Sequence, residues 1–175
     1  MSTLSLVLAV AAVVSPAVAN DQASPERPWK IRITSPGEPG IPMVVAGRLV
    51  DQAGKPLPDV RVFVYHTDAN GLYQLPGQDS HRHNGTMWTN GEGKFEFRTI
   101  HPGPYPGTKS GEHFHFEISG GGLPDSFAGV EFHGDKVVVY SGRKAGSATH
   151  YEGNPWKPDP EINGQRLDVE LKLTR

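Results

Sequence analysis

Side chains alternate with a period of two in three separate segments of this chain: apolar with polar residues in 94–98 and 167–173, and valine with arginine or an aromatic residue in 60–65. In residues 167–173, four apolar residues are separated by Asp, Glu and Lys. Because successive side chains of a β-strand point to opposite faces, such alternation predicts strands with one buried face. Residues 60–65 are apolar or aromatic at most positions, which predicts a strand buried on both faces.

Turn signals separate the predicted strands, and helical periodicity is missing. Clusters rich in Gly, Asn, Asp and Pro occur at 51–56, 68–71, 90–93 and 120–122, and the chain holds 21 Gly and 16 Pro in total. After residue 19, no window longer than about ten residues keeps a 3.6-residue apolar period. The sequence therefore predicts an all-β fold, an antiparallel β-sandwich of about seven to nine strands with long loops.

The first nineteen residues carry no charged side chain and include an apolar run too short to span a bilayer. With the small residues Ala17 and Ala19 after that run, residues 1–19 are predicted to be a signal peptide cleaved after Ala19. Residues 20–40 are rich in Pro, Ser and Gly and predict an extended N-terminal arm, followed by one β-sandwich domain at 41–175. We expect a secreted or periplasmic protein.

The composition limits the partners and the sources of stability. The formal net charge is −2 at pH 7, and the charges are dispersed along the chain. Neither nucleic acid nor an anionic membrane is therefore expected as a partner. The chain has no cysteine, so disulfides cannot stabilise it.

A histidine pair and a rigid tyrosine loop are the residues that point most clearly to chemistry. His113 and His115 are two positions apart, so on a strand both imidazoles lie on one face. Tyr105 lies between Pro104 and Pro106, which restrict the backbone around it. Imidazole nitrogens and a phenolate oxygen are suitable ligands for a transition-metal ion, whereas a solvent-facing strand is the simpler explanation of the pair alone.

Three further residues are candidates for the same site. Tyr73 follows the turn at 68–72, just beyond the strand predicted at 60–66. His81 and His83 lie in a Gly-, Asp- and Ser-rich segment. They are candidates for groups that support the site or face a substrate, and a solvated loop is the alternative.

Taken together, three segments resemble the intradiol ring-cleavage dioxygenases, the protocatechuate and catechol dioxygenases. They are the strand, turn and tyrosine at 62–73, the segment 89–106 that ends in Pro-Gly-Pro-Tyr-Pro, and the His-x-His strand at 112–116. Weaker similarity extends the resemblance over roughly residues 40–175. The order Tyr, Tyr, His-x-His is specific, whereas any single piece is weak.

The resemblance implies a non-haem Fe(III) held by Tyr73, Tyr105, His113 and His115. It also implies that Tyr105 dissociates and accepts a proton from a catechol-type substrate. Tyr73 and His113 would stay bound, and His115 would be the ligand opposite Tyr105. O₂ would then open the ring between its two hydroxyl-bearing carbons to give a cis,cis-muconate-type product.

The chain departs from the family pattern on the substrate side of the site. Ser110 stands where the family usually has an arginine, and Lys109 beside it is the candidate replacement in the catalytic set. A glutamine that is usual in the family aligns near Gly129 and is absent from this chain. The oligomeric state stays open, with a homo-oligomer as one option.

Two other functions compete with the dioxygenase interpretation. Residues 45–60 also resemble the opening of transthyretin-like and carboxypeptidase-regulatory-like sandwiches, which would make the chain a non-enzymatic binding module. The second alternative is a periplasmic copper or zinc binder that uses His81, His83, His113 and His115.

Overall fold

The computed structural model describes residues 27–74, 77, 81–142 and 149–174, and within them eleven strands form two sheets. The predicted all-β sandwich is confirmed. The strand number exceeds the expected seven to nine, partly because β1 and β10 are only three residues long. The strands are β1 (Lys30–Arg32), β2 (Pro42–Asp51), β3 (Arg61–His66), β4 (His83–Trp88), β5 (Lys94–Ile100), β6 (His113–Gly120), β7 (Leu123–His133), β8 (Lys136–Gly142), β9 (Thr149–Gly153), β10 (Lys157–Asp159) and β11 (Gly164–Leu173).

One sheet has five strands in the order β1-β5-β2-β11-β10, and the other has six in the order β4-β3-β6-β7-β8-β9. The five-stranded sheet contains two parallel pairs, β1 with β5 and β2 with β11. Every pair in the six-stranded sheet is antiparallel. A short 3₁₀ helix at Pro160–Ile162 connects β10 to β11.

Aromatic side chains fill the space between the two sheets. Phe95 and Phe97 of β5 pack against Phe116 and Phe114 of β6, with ring centroids 6.0 and 5.5 Å apart. All four side chains are buried. Ring pairs at these separations add edge-to-face attraction to the burial of apolar area, so β6 is fixed firmly from its inner side.

The outer face of β3 is not buried as the sequence predicted. Val62 and Val64 point into the core and are fully buried, whereas Phe63 and Tyr65 are only half-buried on the opposite face. The expectation of two buried faces was wrong because no third layer covers the six-stranded sheet in the part of the chain that the structure describes. The outer face of the six-stranded sheet can therefore carry side chains with a role other than packing the core.

The predicted leader and the first part of the predicted arm lie outside the described residues, which begin at residue 27. Strand β1 falls within the predicted arm and pairs with β5, while β2 to β11 fall within 41–175. Among the described residues, no helix is long and apolar enough to cross a membrane.

Candidate metal centre

An Asp-centred turn positions Tyr73 beyond the end of β3. The buried Asp68 carboxylate accepts hydrogen bonds from the backbone N–H groups of Asn70 and Leu72, at 2.8 and 2.9 Å. The N–H of Gly71 donates to the Asp68 carbonyl at 3.0 Å. A short acidic side chain that binds the backbone two and four residues later reverses the chain tightly, and Tyr73 follows directly.

The loop that carries Tyr105 is bonded to the same turn. The Thr67 hydroxyl donates to the Gly103 carbonyl at 2.7 Å, and the Gly103 N–H donates to the Asp68 carbonyl at 2.8 Å. A Cβ on residue 103 would lie 2.5 Å from the Ala69 carbonyl oxygen, so only glycine allows this approach. The two tyrosine loops are therefore held as one unit.

The two histidines of β6 face the tyrosines from the outer face of the six-stranded sheet. His113 Nδ1 donates to the Gly111 carbonyl at 2.7 Å, which leaves the Nε2 lone pair facing Tyr105. His113 Nε2 lies 2.9 Å from the Tyr105 hydroxyl oxygen, and His115 Nε2 lies 3.4 Å from it. Tyr73 and Tyr105 also contact each other through their hydroxyl groups. The structure thus brings together all four residues that the sequence singled out.

Partial burial shifts the pKa values of two residues of the site. Desolvation raises the pKa of Tyr73, and the hydrogen bond and negative charge of Tyr105 raise it further. Desolvation, with the charges of His113 and His81, lowers the pKa of His115 to about 4. Without a cation, Tyr73 is held neutral, while the imidazole of His115 keeps its lone pair at neutral pH.

The four residues fit a trivalent iron. The Tyr73 hydroxyl and the Nε2 atoms of both histidines surround the Tyr105 hydroxyl, and a cation at bonding distance would reverse the cost of ionising the half-buried phenols. Two tyrosinates would neutralise two of three positive charges. No group of three His, Cys, Asp or Glu suited to a metal occurs in the described part of the chain, so the tyrosines are essential to this set.

The structure does not support the alternative of a copper or zinc site formed by four histidines. His83 is buried on the inner face of its sheet, where its ring centroid is 5.2 Å from that of His66. His113 and His115 lie on the outer face. The four histidines proposed for that site are therefore not brought together.

Sequence reasoning missed Tyr65, which lies beside the site, whereas His81 was already a candidate. His81 stacks on Tyr65 at 4.5 Å between ring centroids and lies 4.7 Å from Tyr73. Tyr65 in turn stacks on His115 at 4.8 Å. The register that pairs Tyr65 with His115 creates this stack, and only the pairing of β3 with β6 reveals it.

Lys109, like His83, is a predicted site residue for which the structure shows no contact with this centre among the described residues. It lies exposed in the loop between Tyr105 and His113. Within the described residues, no hydrogen bond or ion pair involves its side chain. Its catalytic role stays a prediction.

The chain is similar to known dioxygenases in sequence and in fold. A family model described as "Dioxygenase" matches residues 14–150. The protocatechuate 3,4-dioxygenase beta chain of Burkholderia cepacia is 32% identical over 122 residues, which cover 59% of this chain and 50% of that protein. The chain thus spans about half the length of this curated relative.

Solved structures share the fold at low sequence identity. Catechol 1,2-dioxygenase from Pseudomonas arvilla C-1 has a TM-score of 0.64 and 20% identity, over 85% of this chain and 58% of that chain. The dioxygenase domain of a carbohydrate-binding fusion protein from Streptomyces sp. SirexAA-E has a TM-score of 0.55 and 22% identity, over 89% and 94%. Given the family match over most of its length, the chain belongs to the intradiol ring-cleavage dioxygenase family.

Proposed function

We propose that this chain is an exported intradiol dioxygenase that holds non-haem Fe(III) with Tyr73, Tyr105, His113 and His115. Its substrates would be a catechol-type ring and O₂, and its product a cis,cis-muconate-type acid. The observation that carries the proposal is the convergence of two phenol oxygens and two imidazole nitrogens around the Tyr105 hydroxyl, in a chain of this family. Export rests on the predicted leader at residues 1–19.

The chemistry divides between the ion and the side chains. Bound Fe(III) would act as a Lewis acid that draws charge from a chelated catecholate and so prepares the ring for O₂. Tyr105 is the residue best placed to handle a proton, because its oxygen contacts both Tyr73 and His113. A phenolate at this position would accept a proton from the incoming catechol and share the resulting O–H with its neighbours.

The other residues hold the geometry. The Gly111 carbonyl fixes the ring of His113 in the orientation that presents Nε2. The stack of His81, Tyr65 and His115 closes one side of the site with apolar ring faces. Such a wall excludes water and offers an aromatic substrate a surface to lie against.

Iron content and the visible spectrum test the proposal directly. Protein expressed in iron-replete medium should contain about one iron per chain and show a visible tyrosinate-to-iron charge-transfer band. Anaerobic addition of catechol should move the band to longer wavelength. A colourless, iron-free protein under these conditions would overturn the proposal.

Oxygen uptake with a panel of catechols then separates an enzyme from a binding module. His113→Ala should abolish uptake and the band together, because it removes an imidazole from the site. The matched control is His133→Ala, since His133 lies on the surface with 54% of its side chain exposed. Equal uptake in both variants would contradict the assignment of His113.

A further inference from the structure

One cross-strand row runs over the outer face of the six-stranded sheet and passes through the candidate metal centre. The register pairs Tyr65 of β3 with His115 of β6, His115 with Gly129 of β7, Gly129 with Tyr140 of β8, and Tyr140 with His150 of β9. Residues paired in this way project from the same face. Tyr140 therefore lies on the same face as the histidines, two strands away from His115.

Gly129 leaves a gap in this row, and Tyr140 fills it. A Cβ on residue 129 would overlap the Cζ and hydroxyl oxygen of Tyr140. The phenol ring thus leans over β7 towards β6, and its hydroxyl lies above the position next to His115. Because neighbouring strands are about 4.8 Å apart, the hydroxyl reaches to within roughly one strand spacing of the strand that carries both histidines.

We propose that Tyr140 determines substrate specificity by donating a hydrogen bond from its hydroxyl to a polar substituent on the ring of the bound catechol. The inference rests on the proposed function and adds the class of substrate. That class is catechols that carry a further hydroxyl or another uncharged polar group. Gly129 is the residue that makes room for this contact.

The surroundings of Tyr140 support a neutral donor. Its ring has Phe127 and His150 as neighbours, at centroid distances of 6.1 and 5.6 Å. Desolvation raises the pKa of Tyr140 to about 12, with the charge of Glu131 as the next cause, so the hydroxyl keeps its proton at neutral pH.

Glu131 also argues against a charged substituent. It projects from the same face as His113, with which it is paired across β6 and β7, and 42% of its side chain is exposed, with His133 Nε2 3.3 Å from its carboxylate. A carboxylate on the substrate ring would be repelled by this negative charge. The site therefore favours an uncharged polar substituent over an acidic one.

Anaerobic optical titration of the iron-loaded full chain tests the inference, because it measures binding without turnover. The ligands are catechol, benzene-1,2,4-triol and 3,4-dihydroxybenzoate. The wild-type protein should bind the triol more tightly than catechol, and the benzoate least tightly. Tyr140→Phe should weaken triol binding about three- to tenfold, the loss expected for one hydrogen bond, and leave the Kd for catechol unchanged.

Two further variants keep the test decisive. Gly129→Ala retains the Tyr140 hydroxyl but displaces it, so it should also reduce the preference for the triol. Tyr151→Phe is the matched control: its hydroxyl donates to the Glu170 carbonyl at 2.9 Å on the inner side of the sheet, and the ratio of the two Kd values should stay at the wild-type value.

The two ways in which the test can fail are distinguishable. A wild-type protein without a charge-transfer band contradicts the proposed function itself. A protein with the band and with catechol binding, in which Tyr140→Phe leaves the preference for the triol unchanged, overturns the role of Tyr140 alone.

Discussion

The backbone N–H of Arg82 donates a 2.8 Å hydrogen bond to the carbonyl oxygen of Tyr73. The guanidinium of the same arginine forms two hydrogen bonds with the Glu38 carboxylate, at 2.8 and 2.7 Å, and lies 3.5 Å from Asp68. The two side chains of this ion pair are mostly shielded from solvent, with 27% of Arg82 and 10% of Glu38 exposed. Glu38, in the segment before β2, therefore holds Arg82, and the backbone of Arg82 in turn holds Tyr73.

Glu38→Gln should loosen this anchor. A bidentate ion pair that is largely shielded contributes more than an exposed one, so we expect the free energy of unfolding to fall by about 1 kcal/mol. Iron affinity should fall as well, because Tyr73 becomes less well positioned. Asp59→Asn is the control, since its pair with Arg27 is exposed on both sides and should contribute nothing measurable. Equal losses in the two variants would contradict the anchoring role.

The pH dependence of that pair has a defined sign. The hydrogen bond from Arg82 lowers the pKa of Glu38 below its ordinary value of 4.5. The native state therefore holds this proton less tightly than the unfolded chain, and the stabilisation is present above about pH 4.5 and is lost as the pH falls through the native pKa. Urea unfolding between pH 6 and pH 3.5 should therefore show a larger loss of unfolding free energy in the wild-type protein than in Glu38→Gln.

Gly71 is expected to be the most sensitive glycine of the site. It has a positive φ of 80°, and a Cβ there would overlap the carbonyl oxygen of Pro104 in the loop that carries Tyr105. Gly54 has the same φ of 80°, but a Cβ on that residue would meet nothing within 4 Å. Gly54→Ala should cost about 1 kcal/mol from backbone strain alone, and Gly71→Ala at least about 3 kcal/mol because the two loops must separate.

Iron binding separates these two effects. Gly71→Ala should reduce the iron content, since it moves Tyr73 away from Tyr105, whereas Gly54→Ala should bind iron as the wild-type protein does. Thermal unfolding of the iron-free proteins and metal analysis of the loaded ones give the two quantities. Full iron occupancy in Gly71→Ala would show that the contact between the loops does not position the tyrosines.

Local patterns predicted the residues of the candidate site better than their surroundings. His113 and His115 lie on the same face because of their spacing, and Tyr73 follows a turn that short-range hydrogen bonds determine. The stack of Tyr65 on His115 depends instead on the register of β3 against β6, two strands that are far apart in the sequence. The position of Tyr140 over Gly129 follows from the two-residue turn at Gly134 and Asp135, which sets the register of the β7–β8 hairpin.

The inner and outer faces of the strands were predictable only in part. Alternation in residues 167–173 predicted the buried face of β11 correctly, because one side of that strand meets the core. In β3 the outer residues Phe63 and Tyr65 are as apolar as core residues, so periodicity alone could not distinguish a second core from an aromatic site. His83 likewise faces inward because β4 pairs with β3 opposite His66.

Removal of iron should lower the stability of the protein and at the same time abolish its visible absorption band. A ligand that binds only the native state adds a stabilisation that grows with the ratio of its concentration to its Kd, about 2.7 kcal/mol at a hundredfold ratio. Extraction with a chelator under reducing conditions should therefore lower the Tm and abolish the visible band, and Fe(III) should restore both. In Tyr73→Phe, added iron should restore neither to the wild-type level.

The buried imidazole of His66 should make stability depend on pH independently of iron. His66 Nδ1 donates to the Thr67 carbonyl and the Thr99 hydroxyl donates to Nε2, both at 2.6 Å, and burial lowers the pKa of His66 to about 3. Below pH 6.5 the imidazole of His66 becomes protonated in the unfolded chain, whereas in the native state it stays neutral down to about pH 3. Stability from this group therefore falls as the pH drops through that window.

The expected size of the effect follows from the same linkage. Between pH 7.5 and 5.5, the iron-free wild-type protein should lose about 1.4 kcal/mol more unfolding free energy than His66→Gln, which cannot take up the proton. Urea unfolding at the two pH values measures the difference. His133→Gln, at an exposed position, should keep the wild-type dependence. If His66→Gln showed the wild-type pH dependence, the native state would have to bind the proton of His66 as the unfolded chain does. That result would contradict the effect assigned to the burial of His66 and to its hydrogen bond from Thr99.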